Sequence, residues 1–197
     1  MKLKPLILIV VLLFAIAAIA TAIYFRQQNV ELQSRLEKSN SSTTSQNLNT
    51  IKRLREGDVL PEFTALDTEG REIHVAERGK GNTLLFIYDP NCDRCEAGIP
   101  AWVKTNDRLI QLKVPLQVVA LSVADSYTTV QHARKIKMPF VVVPFPSIEL
   151  QKQYGVTEVP LTVIVDAKGT VQAVWDKPLD KGEIGDLLEV VCPHCAE

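Results

Sequence analysis

A pair of cysteines separated by two residues, Cys92 and Cys95, lies in the stretch YDPNCDRCEAGIP, after an apolar run and before a segment with helical spacing. A thiol at the N-terminus of a helix faces unpaired backbone N–H groups and the positive end of the helix dipole, which favour the thiolate. The C-x-x-C spacing puts the second sulfur one turn along the helix, where it can form a small disulfide with the first. We therefore predict disulfide exchange, with Cys92 as the attacking thiolate and Cys95 as the resolving thiol.

Two other interpretations of this cysteine pair are open from the residues alone. The pair could be a structural clip, or it could be half of a zinc site completed by the C-x-x-C at the end of the chain. Its position between a buried strand and a helix counts against a clip. The long separation from the terminal pair, in a context unlike a zinc knuckle, counts against zinc.

The chain ends in a second motif, CPHC, which contains Cys192, His194 and Cys195. Disulfide oxidants carry Pro-His between two cysteines at the start of a helix, but here only two residues follow the last cysteine. Without a following helix the thiolate lacks the dipole that stabilises it. Three interpretations stay open: an auxiliary dithiol that exchanges electrons with Cys92–Cys95, a structural disulfide or inert terminus, and a site for a soft metal such as Cu(I) or zinc.

The segments around the first cysteine pair alternate between strand-like and helix-like patterns. A hairpin is expected first, around a turn at 67–70. Further strands are predicted at 83–89, 116–123, 140–144, 161–166 and 170–175. Helices are predicted from the cysteine motif, from Ser126 as an N-cap, around SIELQKQY, and from about Asp180 to Val191. This order predicts an α/β fold with a central mixed sheet flanked by helices and an N-terminal β-hairpin extension.

Residues 5–25 form an apolar run without a charged side chain. As a helix, this run is long enough to cross the roughly 30 Å hydrocarbon core of a bilayer. We predict a single transmembrane signal-anchor at 1–25, inserted in the lipid bilayer through residues 5–25. A cleavable signal peptide is the alternative, although the run exceeds the usual h-region. The lysines before the run favour an orientation that leaves the rest of the chain outside the cytoplasm.

The remainder of the chain divides into three parts by composition. A polar linker is predicted at 26–55, a folded domain at 56–191 and a C-terminal tail at 192–197. The 22 basic and 23 acidic side chains nearly balance, so nothing in the charge suggests nucleic acid as a partner.

Residues 56–190 resemble the thioredoxin fold and, within it, the membrane-anchored thiol-disulfide oxidoreductases of the TlpA/ResA type, which are related to the AhpC/TSA proteins. The resemblance is carried by the opening GDVLPEFTALDTEG, the strand–CDRC–helix unit, Pro100, and the segment YGVTEVPLTVIVDAKGTV. It implies a bacterial inner-membrane protein whose soluble domain lies on the periplasmic or extracytoplasmic side. The implied activity is reduction of disulfides in cysteine-containing extracytoplasmic proteins such as apocytochromes, with electrons from a membrane donor. No cofactor is implied beyond the redox-active Cys92–Cys95 pair.

The resemblance also implies a substrate groove at Val159 and Pro160. In the family, the proline that matches Pro160 is cis and lies beside the C-x-x-C motif. Carried over, Val159 and Pro160 would pack against the two sulfurs, and the Val159 backbone would pair with an incoming cysteine-containing chain. This role would explain a proline at the start of an otherwise regular strand.

Three positions depart from the family's pattern. Asn91 stands where the family usually has Trp, Phe86 where thioredoxin has a buried Asp, and Gly98 where ResA-type proteins have a functional Glu. Both known acceptors for the proton of the resolving thiol are therefore missing. Asp89 and Glu96 are the nearby alternatives.

Two other functions are weighed against the reductase. A copper-binding thioredoxin-fold metallochaperone would use one or both cysteine pairs. A peroxiredoxin-like antioxidant protein is disfavoured, because peroxiredoxins have Thr or Ser three residues before the reactive cysteine and this chain has Asp89 there. The remaining histidines, His74 in the hairpin and His132 on a polar helix face, are expected to be surface residues.

Overall fold

The computed structural model describes residues 52–194. The predicted anchor, most of the predicted linker and Cys195 lie outside this range. Among the helices of the described residues, none is long and apolar enough to cross a membrane.

The folded domain begins with the predicted hairpin, formed by β1 (Phe63–Leu66) and β2 (Glu72–Val75). Its turn is organised by the buried carboxylate of Asp67, which accepts hydrogen bonds from the backbone N–H groups of Glu69 and Arg71 at 2.8 and 2.9 Å. An Asx-type arrangement of this kind stabilises a turn without help from neighbouring elements.

The main sheet has five strands in the order β5-β4-β3-β6-β7. Strands β3, β4 and β5 are parallel, while β6 is antiparallel to β3 and β7 is antiparallel to β6. The predicted thioredoxin-like fold, a mixed sheet flanked by helices, is therefore confirmed. The strands are β3 (Asn82–Tyr88), β4 (Leu116–Ser122), β5 (Val141–Pro144), β6 (Leu161–Val165) and β7 (Val171–Trp175). The helices are α1 (Asp93–Gln111), α2 (Ser126–Ile136), α3 (Ile148–Gln153) and α4 (Lys181–Val191).

The helix starts are set by side-chain caps. The prediction of Ser126 as the N-cap of α2 is wrong by one position, because Asp125 occupies it and Ser126 is the first helical residue. The Asp125 carboxylate accepts from the backbone N–H of Thr128 at 3.0 Å and from its hydroxyl at 2.7 Å. The carboxylate thus satisfies one free N–H group of the helix and also binds a side-chain hydroxyl in its first turn. Helix α4 begins with a capping box formed by Asp180 and Glu183.

The sheet is covered on both faces, with β3 at its centre. One face packs against α1, α2 and α4, and the other packs against the hairpin and the segment around α3. On the α1 face, Trp102 is fully buried and stacks on Phe86 with ring centroids 4.8 Å apart. The indole N–H of Trp102 donates to the hydroxyl of Thr162 at 3.0 Å. These contacts fix α1, and with it the cysteine motif, over β3 and β6.

Candidate active site

Cys92 is the N-cap residue of α1, at the carboxyl end of β3. Its sulfur accepts a hydrogen bond from the backbone N–H of Cys95 at 3.2 Å. Its own N–H donates to the Asp89 carbonyl at 3.1 Å, which closes the turn between strand and helix. The thiol is free and half-buried. A sulfur at an N-cap takes the place of the oxygen acceptor usual there, so negative charge on it is stabilised by the first N–H groups of the helix.

Cys95 is also a free thiol, but it is only 1% exposed. It packs in the same buried cluster as Tyr88 and Trp102. Burial, followed by the interactions with Cys92, raises the pKa of the Cys95 thiol to about 12. Cys95 is therefore protonated at neutral pH, and the two thiols of the pair have different environments.

Val159 and Pro160 lie against the cysteine motif, and the peptide bond between them is cis. The Val159 carbonyl oxygen is 3.9 Å from the sulfur of Cys92. The same oxygen accepts a hydrogen bond from the guanidinium of Arg94 at 3.2 Å. The structure thus brings together residues that are far apart in sequence: the two cysteines, Arg94 between them, and the loop before β6.

A sequence model of the AhpC/TSA family matches residues 57–174, which is more than half of the chain. The chain belongs to the AhpC/TSA family. Among curated relatives of this AhpC/TSA protein is the thiol-disulfide oxidoreductase ResA of Geobacillus thermodenitrificans, 28% identical over 139 residues that cover 70% of this chain and 78% of ResA. Another is peroxiredoxin Q of Triticum aestivum, 23% identical over 148 residues that cover 71% of this chain and 67% of the relative.

Among solved structures, the thioredoxin domain of a thiol-disulfide oxidoreductase from Bacteroides vulgatus superposes with a TM-score of 0.61 at 16% identity. The match covers 70% of this chain and 99% of that domain. The superposition supports the thioredoxin-like fold of this AhpC/TSA protein. Together with the relatives, it supports a thioredoxin-like oxidoreductase.

The structure shows what each of the three residues that depart from the family's pattern contacts. Phe86 is buried beneath Trp102. Gly98 is buried against Pro178, whose Cβ would be 3.5 Å from a Cβ at Gly98. The side chain of Asn91 and its backbone N–H both donate to one carboxylate oxygen of Asp89, at 3.3 and 2.8 Å. A Cβ at Gly98 would therefore be in ordinary van der Waals contact with Pro178.

The two carboxylates suggested as alternative proton acceptors differ in position. Asp89 is half-buried in the turn before Cys92, and Glu96 is exposed in the first turn of α1. The electrostatic effect of Asp89 reaches Cys95, because the Asp89 charge raises the pKa of the thiol while its backbone N–H lowers it. Asp89 is therefore close to the resolving cysteine, although its carboxylate already binds Asn91.

The expectation that His132 is a surface residue is wrong. Its ring packs on Tyr88 with centroids 5.5 Å apart, and its Nδ1 atom is buried. Burial lowers the pKa of the imidazole. Helical spacing could have indicated this position. His132 lies three residues after Thr129 and next to Ala133, and both of these side chains are buried on α2. His74, by contrast, is exposed in the hairpin as expected, where its Nδ1 lies 2.9 Å from the Thr64 hydroxyl.

The C-terminal motif begins at the end of α4, where Cys192 is the C-cap residue. Cys192 is disulfide-bonded, His194 is exposed, and Cys195 lies outside the described residues. Within residues 52–194, no group of three or more His, Cys, Asp or Glu side chains could hold a metal ion. A bonded Cys192 suits the auxiliary pair and the structural disulfide, whereas a soft metal would need its thiolate.

Proposed function

We propose that this AhpC/TSA protein is a membrane-anchored, extracytoplasmic thiol-disulfide oxidoreductase that reduces disulfides in other proteins. One observation carries the proposal: a half-exposed Cys92 at the start of α1 beside the Val159 carbonyl, with a protonated Cys95 buried behind it. The relative ResA is named for the same class of reaction. The anchor at 5–25 and the extracytoplasmic location rest on the sequence pattern alone.

The reaction follows from the different positions of the two thiols. The Cys92 thiolate attacks one sulfur of a substrate disulfide, which forms a mixed disulfide and releases the other substrate sulfur as a thiolate. Cys95 then loses its proton and attacks the Cys92 sulfur, so that the second substrate sulfur leaves. Two electrons have passed to the substrate, and the Cys92–Cys95 disulfide remains.

The partners in this scheme are of two kinds. Substrates are cysteine-containing extracytoplasmic proteins, with apocytochromes as the example that the resemblance implies. A membrane electron donor would return the Cys92–Cys95 disulfide to the dithiol. The Val159 carbonyl would contact an incoming chain, and Arg94 would then have to give up its hydrogen bond to that oxygen.

Reduction of insulin by the full-length chain in detergent micelles, with dithiothreitol as electron source, tests the proposal. We expect precipitation of the insulin B chain to be accelerated by the wild type and not by Cys92→Ser, while Cys192→Ser serves as the control outside the site. Equal activity of the wild type and Cys92→Ser would exclude Cys92 as the nucleophile. Stoichiometric Cu(I) binding without any disulfide reduction would favour a copper chaperone instead.

Peroxide reduction is a second candidate, because the wheat relative is named peroxiredoxin Q. The residue three positions before Cys92 is Asp89, a carboxylate that would repel the developing negative charge on a bound peroxide. We expect hydrogen peroxide to be consumed far more slowly than insulin disulfides are reduced. A faster reaction with peroxide would reverse the order of the two candidates.

A further inference from the structure

Arg94 holds a guanidinium group close to the sulfur of Cys92. It donates to the Val159 carbonyl oxygen at 3.2 Å, and the same oxygen is 3.9 Å from the Cys92 sulfur. The two distances add up to about 7 Å, which is the largest possible separation between the donating Arg94 nitrogen and that sulfur. A molecule that reacts at Cys92 therefore comes close to this guanidinium.

Most of the hydrogen-bonding capacity of Arg94 is not taken up by the described part of the chain. A guanidinium has five N–H donors, and the bond to Val159 uses one of them. Arg94 is exposed, and within residues 52–194 it forms no ion pair with a carboxylate. A planar fork of donors suits a carboxylate, which can accept two parallel N–H bonds. Arg94 is therefore able to bind an acidic group that approaches Cys92.

The segments around the cysteine motif carry four carboxylates, on Asp89, Asp93, Glu96 and Glu158. The Asp89 carboxylate accepts hydrogen bonds from Asn91. The Glu158 carboxylate is paired with Arg53. All four carboxylates repel an anion, so the attraction of an acidic group to this site depends on Arg94. Loss of the Arg94 charge should then shift the preference of the site away from anions.

The geometry of a disulfide brings part of the substrate into the reach of Arg94. In the mixed disulfide, the substrate sulfur lies about 2 Å from the Cys92 sulfur. Successive Cα atoms of a chain are only about 3.8 Å apart. The side chains one or two residues from the substrate cysteine therefore lie over the same area as the guanidinium.

We propose that Arg94 is a specificity-determining residue that binds a carboxylate of the substrate. The protein would then react preferentially with disulfides whose cysteine has an aspartate or glutamate one or two residues away. This inference rests on the proposed function, because it names the substrate class of the same exchange. The Cys92 thiolate bonds to one substrate sulfur and the electron pair of the substrate disulfide leaves with the other, while Arg94 stays charged throughout.

Three small disulfides separate this recognition from the chemistry. The disulfides of 3-mercaptopropionate, 2-mercaptoethanol and cysteamine share an arm of two methylene groups, which ends in a carboxylate, a hydroxyl and an ammonium group, respectively. Each charged disulfide is mixed with an equal amount of the hydroxyl disulfide and offered to the reduced full-length Cys95→Ser chain in detergent micelles, at about 0.15 M salt.

The readout is the ratio of the two adducts at Cys92. Without the Cys95 thiol the mixed disulfide stays in place, and peptide mass spectrometry measures how much of Cys92 carries each arm. Because the two disulfides compete for one thiol, any change in the reactivity of Cys92 itself cancels in the ratio.

We expect Arg94→Gln to lower the ratio of carboxylate to hydroxyl adduct by about three- to fivefold, the effect of a favourable exposed charge pair. The ratio of ammonium to hydroxyl adduct should rise. Arg94→Lys keeps the charge without the planar fork and should retain part of the preference. The matched control is Arg108→Gln, which removes an exposed guanidinium from the last turn of the same helix. That group is roughly 20 Å along the helix from Arg94, so both ratios should stay unchanged.

The outcomes distinguish the recognition from the proposed function. If none of the three disulfides forms an adduct at Cys92, the proposed function fails and this inference fails with it. Adducts whose ratios Arg94→Gln leaves unchanged, or Arg108→Gln changes equally, would overturn the recognition alone. Ratios for Arg94→Lys that equal those for Arg94→Gln would also overturn it, because the charge would then not be responsible.

Two peptide disulfides test the substrate class directly. The peptides are identical except for a glutamate or a glutamine next to their single cysteine, so they differ in charge and hardly in shape. In the same competition, the glutamate peptide should form the larger share of the adduct, and Arg94→Gln should lower that share. A share that is the same with Arg94 and with Gln at this position would overturn the proposed preference for acidic substrates.

Discussion

The backbone N–H of Cys95 donates to the sulfur of Cys92 at 3.2 Å, while the Cys95 sulfur itself is almost completely buried. Cys95 thus donates a hydrogen bond to the sulfur of Cys92, while burial keeps the thiol of Cys95 protonated. This arrangement separates the two steps of disulfide exchange, because only Cys92 can meet a substrate and only a later deprotonation lets Cys95 complete the reaction.

Replacing the resolving cysteine should trap the intermediate. Cys95→Ser leaves the half-exposed thiol of Cys92 in place but removes the sulfur that would release the substrate. We expect mixed disulfides to accumulate, visible by mass spectrometry of the chain after reaction with an oxidised cysteine-containing peptide. The matched variant Cys92→Ser should form none, and an adduct of equal yield at Cys95 in that variant would contradict the assigned roles.

The reduced protein should lose stability at alkaline pH. The pKa of Cys95 is raised from 9.0 to about 12, so above pH 9 the unfolded chain gives up a proton that the folded chain retains. The folded state is then disfavoured as pH rises, until the thiol titrates in the folded protein as well. Relative to Cys95→Val, the free energy of unfolding of the reduced wild type should fall by about 1 kcal/mol between pH 8 and pH 10.

Urea unfolding at the two pH values, under reducing conditions, measures this difference. The variant corrects for tyrosines and lysines, which titrate in both proteins. If the wild type and Cys95→Val differ in free energy of unfolding by the same amount at both pH values, Cys95 titrates alike in the folded and unfolded chain.

The hydrogen bond between Trp102 and Thr162 should contribute to the attachment of α1. Trp102→Phe leaves the buried Thr162 hydroxyl without its donor and removes part of a fully buried ring. We expect a loss of about 2–3 kcal/mol in the free energy of unfolding. A double-mutant cycle with Thr162→Val should give a coupling of about 1 kcal/mol. Additive effects would show that the two side chains are energetically independent.

Gly155 lies where the loop after α3 touches the start of the domain. Its φ is +59°, and a Cβ there would be 2.7 Å from the backbone nitrogen of Leu54 and from the carbonyl oxygen of Lys52. Gly57 also has a positive φ, +84°, but a Cβ there would meet nothing within 4 Å. Gly57→Ala should cost about 1–2 kcal/mol of stability, and Gly155→Ala roughly 2 kcal/mol more. Equal losses in thermal unfolding would mean that the chain moves aside at Gly155.

The order of strands and helices was predictable because the apolar runs are distinct and bounded by turn residues. Strand β3 illustrates this, since six of its seven residues are buried. The N-cap of α2 was misplaced because Asp125 and Ser126 are adjacent and both residue types are good caps, so the difference depends on local backbone geometry.

The candidate site was only partly predictable for a different reason. Cys92 and Cys95 are a local motif, but the approach of Val159 to Cys92 joins residues 67 positions apart and was expected only through the family resemblance. The contact between Tyr88 and His132 brings together β3 and α2, which no local pattern specifies. Burial of the Tyr88 and His132 rings depends on packing from several elements, so this contact could not be predicted from the sequence.

The central claim is that Cys92 and Cys95 form a reducing dithiol, and its most direct test is a redox titration of the full-length chain in glutathione and dithiothreitol buffers. Thiol trapping followed by peptide mass spectrometry reports this pair separately from Cys192 and Cys195. We expect the Cys92–Cys95 couple to have a reduction potential below about −220 mV, at which it gives electrons to labile disulfides. A potential near −120 mV, that of a strong disulfide oxidant, would contradict the account.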